Sequence, residues 1–173
     1  MDRAERVVQF LNTWEIPNRS RSPREFLQNQ EDVQVFGRKV FDVNKNSDSL
    51  EETVSFRTQT REMIEAKNEE LINTWLDRRK ILYRIEIRGM PKIIYLPKKE
   101  SVIDHVLADI LTMIQEKTFH RVKICPDCKW SFFDQSKSAT KKWCSMNANS
   151  PTGRACGTIS KVKRFRERNK DVH

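Results

Sequence analysis

Glycine and proline are scarce in this chain, 4 and 6 among 173 residues. That excludes collagen-like and low-complexity designs and leaves helix as the default backbone. Histidine is scarcer still, and His105, His120 and His173 are too scattered to suggest a catalytic metal. No Ser/His/Asp or paired-carboxylate set stands at a telling spacing, so an enzyme is not expected. No apolar run approaches the ~20 residues of a membrane span. The opening MDRAERVVQF has no apolar signal-like stretch. These absences predict a cytoplasmic chain without membrane contact, in which thiols stay reduced. Cysteine is limited to four, yet three of them fall in CPDCKWSFFDQSKSATKKWCSM (125–146) and the fourth, Cys156, follows in GRACGTIS.

Charge is distributed as unevenly as cysteine. Thirteen of the 33 Lys+Arg residues but only four of the 24 Asp+Glu residues lie from Arg121 onward. The whole formal charge of +9 therefore sits in the tail, and the first 120 residues are neutral. A neutral body with a basic appendage assigns a polyanion partner to the appendage.

The body reads as mostly helical. Val7, Val8, Phe10, Leu11 and Trp14 predict a helix ending near Pro17. Ser22-Pro23-Arg24-Glu25 has capping-box form and predicts a short helix, followed by a second through Val33, Phe36 and Val40. DVNKNSDS (42–49) has linker composition. Ser49-Leu50-Glu51-Glu52 opens a long amphipathic segment through Phe56, Thr60, Met63, Ile64, Lys67 and Leu71 to about Leu76, with a break near Asn68. ILYRIEIR alternates like a half-buried strand, and KIIYL beyond Gly89 is its hairpin partner, giving a hairpin near 81–96. Ile103, Val106, Leu107, Ile110, Leu111 and Ile114 form the clearest helical stripe. The predicted fold is mainly α with a small β-hairpin: a helical N-terminal domain over 1–120, and a small C-terminal module over 121–173.

Thiolates bind zinc tetrahedrally, and Cys125-Pro126-Asp127-Cys128 is the spacing with which one tight turn supplies two ligands. Cys144 and Cys156 can complete a four-sulfur site, with His120 as the alternative to Cys156. A redox dithiol or unligated buried thiols are the competing readings. A dithiol normally opens a helix, whereas KWSFFD after Cys128 reads as a strand. A module of this size builds little core of its own, so Zn2+ would fold it. Trp130, Phe132, Phe133 and Trp143 would then form its apolar shell, or alternatively stack on unpaired bases. The tail GTISKVKRFRERNK predicts a helix with a thin apolar stripe (Ile159, Val162 and Phe165) and cations elsewhere. Lys161, Lys163, Arg164, Arg166 and Arg168 on that helix, with the Lys141–Lys142 pair, are the candidate nucleic-acid contacts. DNA and RNA are not distinguished by such a surface. In the body, Asn12 and Thr13 are the candidates for a polar ligand site, with helix capping and internal hydrogen bonding as the competing reading.

The order Cys-Pro-Asp-Cys, Trp-Ser-Phe-Phe-Asp-Gln-Ser, Lys-Lys-Trp-Cys-Ser-Met and then Cys-Gly before a basic helix resembles the CGNR zinc finger. FLNTW (10–14) resembles the opening motif of the ABATE domain, the helical partner of that finger, and the segment between is similar only in helix pattern and length. The resemblance implies a treble-clef-like finger holding zinc through Cys125, Cys128, Cys144 and Cys156 and binding DNA. It implies a helical domain that senses stress or a small ligand, and a role in transcription regulation. A homodimer is compatible with it. The competing function is a non-catalytic scaffold whose zinc module only staples the tail. Two departures stand out. NANSPTGRA lengthens the last cysteine gap, and Thr158-Ile159 replace Asn-Arg after Cys-Gly. The second moves the phosphate contact expected of that arginine to Arg154 or Lys161.

Overall fold

The structure, a computed structural model, describes residues 1–98, 100–148, 151 and 153–170. His173 and part of the 147–155 insertion lie outside the described residues. Six helices and three short antiparallel strand pairs are present among the described residues, a mainly α fold.

Helix α1 (Arg3–Leu11) is capped by Asp2, whose carboxylate accepts the Glu5 N–H at 2.8 Å, and it buries Val7, Phe10 and Leu11. It stops at Asn12, short of the expected end near Pro17. The chain turns extended there because β1 (Trp14–Glu15) pairs with β2 (Arg24–Glu25). That pairing also removes the helix expected from Ser22. Glu25 sends its carboxylate to Arg57 (2.6 Å at each oxygen), and the capping box that opens α2 (Gln30–Phe41) lies further on, at Asn29 and Asp32.

The 42–49 stretch is not a linker. Asn46 and Asp48 are buried, and they receive the first N–H groups of α5 (Val102–Gln115): Val102 N donates to Asn46 Oδ1 (2.9 Å) and Ile103 N to Asp48 Oδ2 (3.0 Å). The Ser101 hydroxyl donates to Asp48 and accepts from Asp104 N, and the Arg79 guanidinium neutralises Asp48 at 2.9 Å. A helix N-terminus buried in the core must have its donors satisfied, and this polar segment supplies the acceptors.

Helices α3 (Leu50–Ala66) and α4 (Glu70–Arg79) are the predicted long segment, broken where Lys67 adopts a left-handed conformation (φ 54°). Phe56 sits between Phe10 (ring centroids 5.6 Å) and Trp75 (5.1 Å), and with Val106, Leu107 and Ile110 of α5 these side chains form the centre of the core. Arg6 clamps α1 to α5 through two bonds to Asp109 (2.8 and 2.6 Å).

Strands β3 (Leu82–Glu86) and β4 (Lys92–Leu96) form the expected hairpin, but its apolar face is not half-buried. Tyr83, Ile85 and Ile87 are 67%, 72% and 75% exposed. Only β4 lies against α5, so the alternation of the sequence gives the strand correctly while no described element of the chain covers its face. After a 3-10 turn, β5 (Val122–Ile124) and β6 (Ser131–Phe133) pair antiparallel, and α6 (Cys156–Lys170) ends the described chain. The predicted boundary at residue 121 is bridged by packing: Val122 and Phe133 belong to the core of the helical body.

Candidate metal centre

Strands β5 and β6 are joined by Cys125-Pro126-Asp127-Cys128. The turn closes with Lys129 N donating to Cys125 O (2.8 Å) and Cys125 N to Trp130 O (2.9 Å), and Lys129 takes a left-handed conformation (φ 60°). This geometry turns the Cys125 and Cys128 side chains to the same side of a tight hairpin. Cys156 is the first residue of α6, and Cys144 comes from the loop between β6 and α6. Gly157 N donates to Ser145 O at 2.9 Å, which stitches that loop to the helix start. A Cβ on Gly157 would meet the Met146 side chain and lie 3.3 Å from Ser145 O, so glycine allows this close approach without moving either neighbour.

The four Sγ atoms all lie within 4.8 Å of one another, and no disulfide links them. Cys128–Cys144 is 3.5 Å and Cys144–Cys156 is 3.8 Å. A tetrahedral zinc with ~2.3 Å bonds to sulfur requires S···S edges of about 3.8 Å, so the donor set fits. Donation from the Cys128 and Cys144 thiols pulls Cys125 far below the usual thiol range, the same donation pushes Cys144 up, and burial pushes Cys156 up. A divalent cation would accept all four sulfurs as thiolates. His120 is not among the clustered donors.

Trp130, Phe132 and Trp143 pack on the cysteine cluster, whereas Phe133 turns to the body core. Beneath them, buried Asp134 organises the loop that follows β6. It accepts from Lys123 Nζ (2.8 Å), the Ser136 hydroxyl (2.6 Å) and the amides of Ser136 (3.0 Å) and Lys141 (2.8 Å). Burial opposes its ionisation, but these four donors outweigh burial and hold it well below the usual carboxylate range.

Several contacts fix the finger to the body. The Asn12 carboxamide pairs with the Ser131 backbone, donating to its carbonyl (2.9 Å) and accepting its N–H (2.8 Å). The Thr13 hydroxyl donates to Phe10 O (2.8 Å) and accepts from Arg57 (3.0 Å). Both side chains of the polar pair in the body are thus held by hydrogen bonds within the protein. Arg61, buried and stacked over Trp14 at 4.9 Å, donates to Leu11 O (2.7 Å) and to Lys129 O in the knuckle (2.5 Å). Burial lowers its pKa to about 10, which still leaves it charged. In the sequence Arg61 reads as part of a solvated helix face, and its four-residue spacing from Arg57 is the one signal that could have set it apart. Arg154 forms an ion pair with Asp127 of the knuckle and donates to Asn18 Oδ1 (3.2 Å). It is set apart from the other cations predicted to contact nucleic acid.

Those others lie outside the centre and in solvent. Every residue from Lys161 to Asn169 is exposed, including Lys161, Lys163, Arg164, Arg166 and Arg168, and so are Lys141 and Lys142. The apolar stripe of α6 (Ile159, Val162 and Phe165) is exposed as well. An open groove of about 1080 Å³ runs along the seam between body and finger, with Met63, Ile72, Val122 and Ile124 as its floor and Lys141 and Lys142 at its rim. No helix among the described residues is long and apolar enough to cross a membrane.

A knuckle hairpin, a loop cysteine and a cysteine opening a helix, around four converging sulfurs, define a zinc-finger module of treble-clef form. The family model of the CGNR zinc finger matches residues 121–169, so the chain carries that finger, with residues 1–120 outside the matched span. No curated protein matches the chain.

Proposed function

We propose that this chain is a nucleic-acid-binding regulator whose finger is folded by Zn2+ on Cys125, Cys128, Cys144 and Cys156. Four sulfurs fill the tetrahedron and leave no position for water, so the ion serves structure and not catalysis. The observation that carries the reading is α6. It starts on a metal ligand and then exposes five cations with one acidic partner, Glu167, 3.9 Å from Lys163. A fully solvated helix of this length is marginal in water, and like charges four apart, such as Arg164 and Arg168, weaken it further. A phosphate backbone removes that repulsion while the metal fixes where the helix begins. DNA is the proposed polyanion and RNA the alternative. The helical body is read as an ABATE-like regulatory half, and the seam groove, with its apolar floor and lysine rim, is the place it offers a small ligand.

The exposed stripe Ile159, Val162 and Phe165 favours a second reading, a scaffold that binds protein through α6. Filter binding to duplex DNA fragments and to RNA across salt separates the two. The native chain should lose affinity steeply with salt. The variant Lys161→Ala/Lys163→Ala/Arg164→Ala should bind weakly, with a slope shallower by about 0.9 for each phosphate contact removed. Full affinity in that variant would refute the role of α6, and salt-independent or absent retention of both polymers would favour the scaffold.

A further inference from the structure

The hairpin β3–β4 presents apolar side chains and an open edge, and its hydrogen-bond parity says what can pair with it. On β4, Ile93 N donates to Gln115 Oε1 (3.1 Å) and Gln115 Nε2 donates to Ile93 O (3.1 Å). Both backbone groups of Ile93 therefore point away from β3, and the carboxamide of α5 caps that edge at Ile93. Ile93 lies opposite Ile85, so the pair is a non-hydrogen-bonded one. Ile85 must then aim its own N–H and C=O at the outer edge of β3, and Tyr83, two residues away, does the same. No hydrogen bond closes on either outer edge group among the described residues. An isolated two-stranded hairpin is marginal in water, and an unsealed edge with Tyr83, Ile85 and Ile87 exposed is a pairing template.

We propose that a second copy of this chain fills that edge, with the two β3 strands antiparallel about a two-fold axis through Ile85. Parity admits only registers in which outward residues face outward residues. Among these, an axis at Arg84 sets Arg84 against itself, and one at Glu86 sets Glu86 against itself and Arg84 against Arg88; like charges directly opposite are destabilising. An axis at Tyr83 pairs no opposite charges within β3, Lys80 being the left-handed cap of α4, and an axis at Ile87, which would set Glu86 against Arg88, lies beyond the end of the strand at Glu86. The axis at Ile85 sets Arg84 against the partner's Glu86 twice over, in non-hydrogen-bonded positions where side chains come closest. On the other face it sets Tyr83 against the partner's Ile87 and Ile85 against its own copy. The result is a four-stranded sheet in the order β4–β3–β3–β4, closed by symmetry and with each outer edge capped at Ile93 by Gln115. This dimer stands independently of the nucleic-acid reading.

Sedimentation equilibrium on the full zinc-loaded chain tests it, with circular dichroism melts as the check on folding. The native chain should show a concentration-dependent monomer–dimer equilibrium. Ile85→Pro removes an N–H that only the partner uses, a place where an edge strand tolerates proline. It should leave a folded monomer. Arg84→Glu should raise the dimer Kd by about tenfold or more, and the swap Arg84→Glu/Glu86→Arg, made with Lys92→Glu to keep the cross-strand ion pair of Glu86 with Lys92 (3.0 Å), should bring it back toward native. The charge-swap series keeps the test decisive if Ile85→Pro melts early. A native chain that stays monomeric at its highest soluble concentration, a dimer indifferent to a folded Ile85→Pro, or a swap that restores nothing would each overturn the assignment.

Discussion

The body and the finger bury their side chains by different means. The body has an aromatic–aliphatic core, Phe10, Phe56 and Trp75 against the buried face of α5, and satisfies its polar interior through Asn46, Asp48 and Arg79. The finger has three cysteines buried, a fourth half-buried, and three aromatic side chains laid over them. Stability in the first is spread over many contacts; in the second it is concentrated on one point. The seam shows how the two depend on each other. Val122 and Phe133 are finger residues in the body's core, while Arg61 and Asn12 are body residues whose hydrogen bonds end on the finger's backbone. The finger is thus half-supported by a conventional core, which leaves its loop and α6 as the parts the proposed zinc would hold.

Removing the ion is the largest perturbation of that contrast. Apparent folding energies of about 10–16 kcal/mol attach to structural zinc in small peptides, so chelation or Cys128→Ser should release the loop and α6. Limited proteolysis should cut beyond Asp134, while the body and the docked β5–β6 hairpin persist. A C-terminal third that stays resistant after chelator treatment, in protein shown by native mass spectrometry to be metal-free, would mean the finger has another source of order. The converse experiment is Phe56→Ala. It should cost about 3–5 kcal/mol in urea unfolding and yet leave one zinc per folded chain, because Phe56 touches the body's rings and none of the cysteine shell.

The elements legible in the sequence are those whose cause is local. The stripe of α5, the Ser49 cap, the break near Asn68 and the Cys125–Cys128 knuckle are each decided within a few residues, and each is present. The misread elements are those whose cause lies elsewhere in the chain. Ser22-Pro23-Arg24-Glu25 has the local form of a helix start, but Glu25 is committed to Arg57, 32 residues on. The 42–49 stretch has a loop's composition, yet α5 needs its acceptors more than 50 residues later. Alternation finds β3 but does not say whether anything covers it. In the site, the clustering of the four cysteines agrees with their expected grouping, whereas Arg154, grouped by sequence with the candidate nucleic-acid contacts, is paired with Asp127, 27 residues upstream.

Between the two regions, Arg61→Met should sharpen the comparison by loosening the seam alone. It leaves the Leu11 and Lys129 carbonyls without their donor, at about 1–3 kcal/mol for each buried group, and it forfeits the stack on Trp14. A loss of about 2–4 kcal/mol in urea unfolding is expected, together with faster zinc transfer to a colourimetric chelator, since Lys129 follows a ligand directly. Arg61→Lys should not rescue it, because an ammonium cannot span two carbonyls from one planar fork.

Asn12→Ala is the mildest of these tests and the most discriminating. The carboxamide makes one accepting and one donating bond to Ser131, and a carboxylate at the same position could make only the accepting one. Alanine should cost about 1–2 kcal/mol. Asn12→Asp should cost at least as much, because a carboxylate oxygen would then face the Ser131 carbonyl oxygen. If Asn12 were instead free to hold a ligand, both variants would leave stability nearly unchanged. The amide proton of Ser131 reports the difference directly. Hydrogen exchange at that position should speed up in Asn12→Ala by about the factor that the lost free energy predicts, roughly tenfold for each 1.4 kcal/mol, while exchange in the α3–α5 core, governed by the body's own packing, stays close to native.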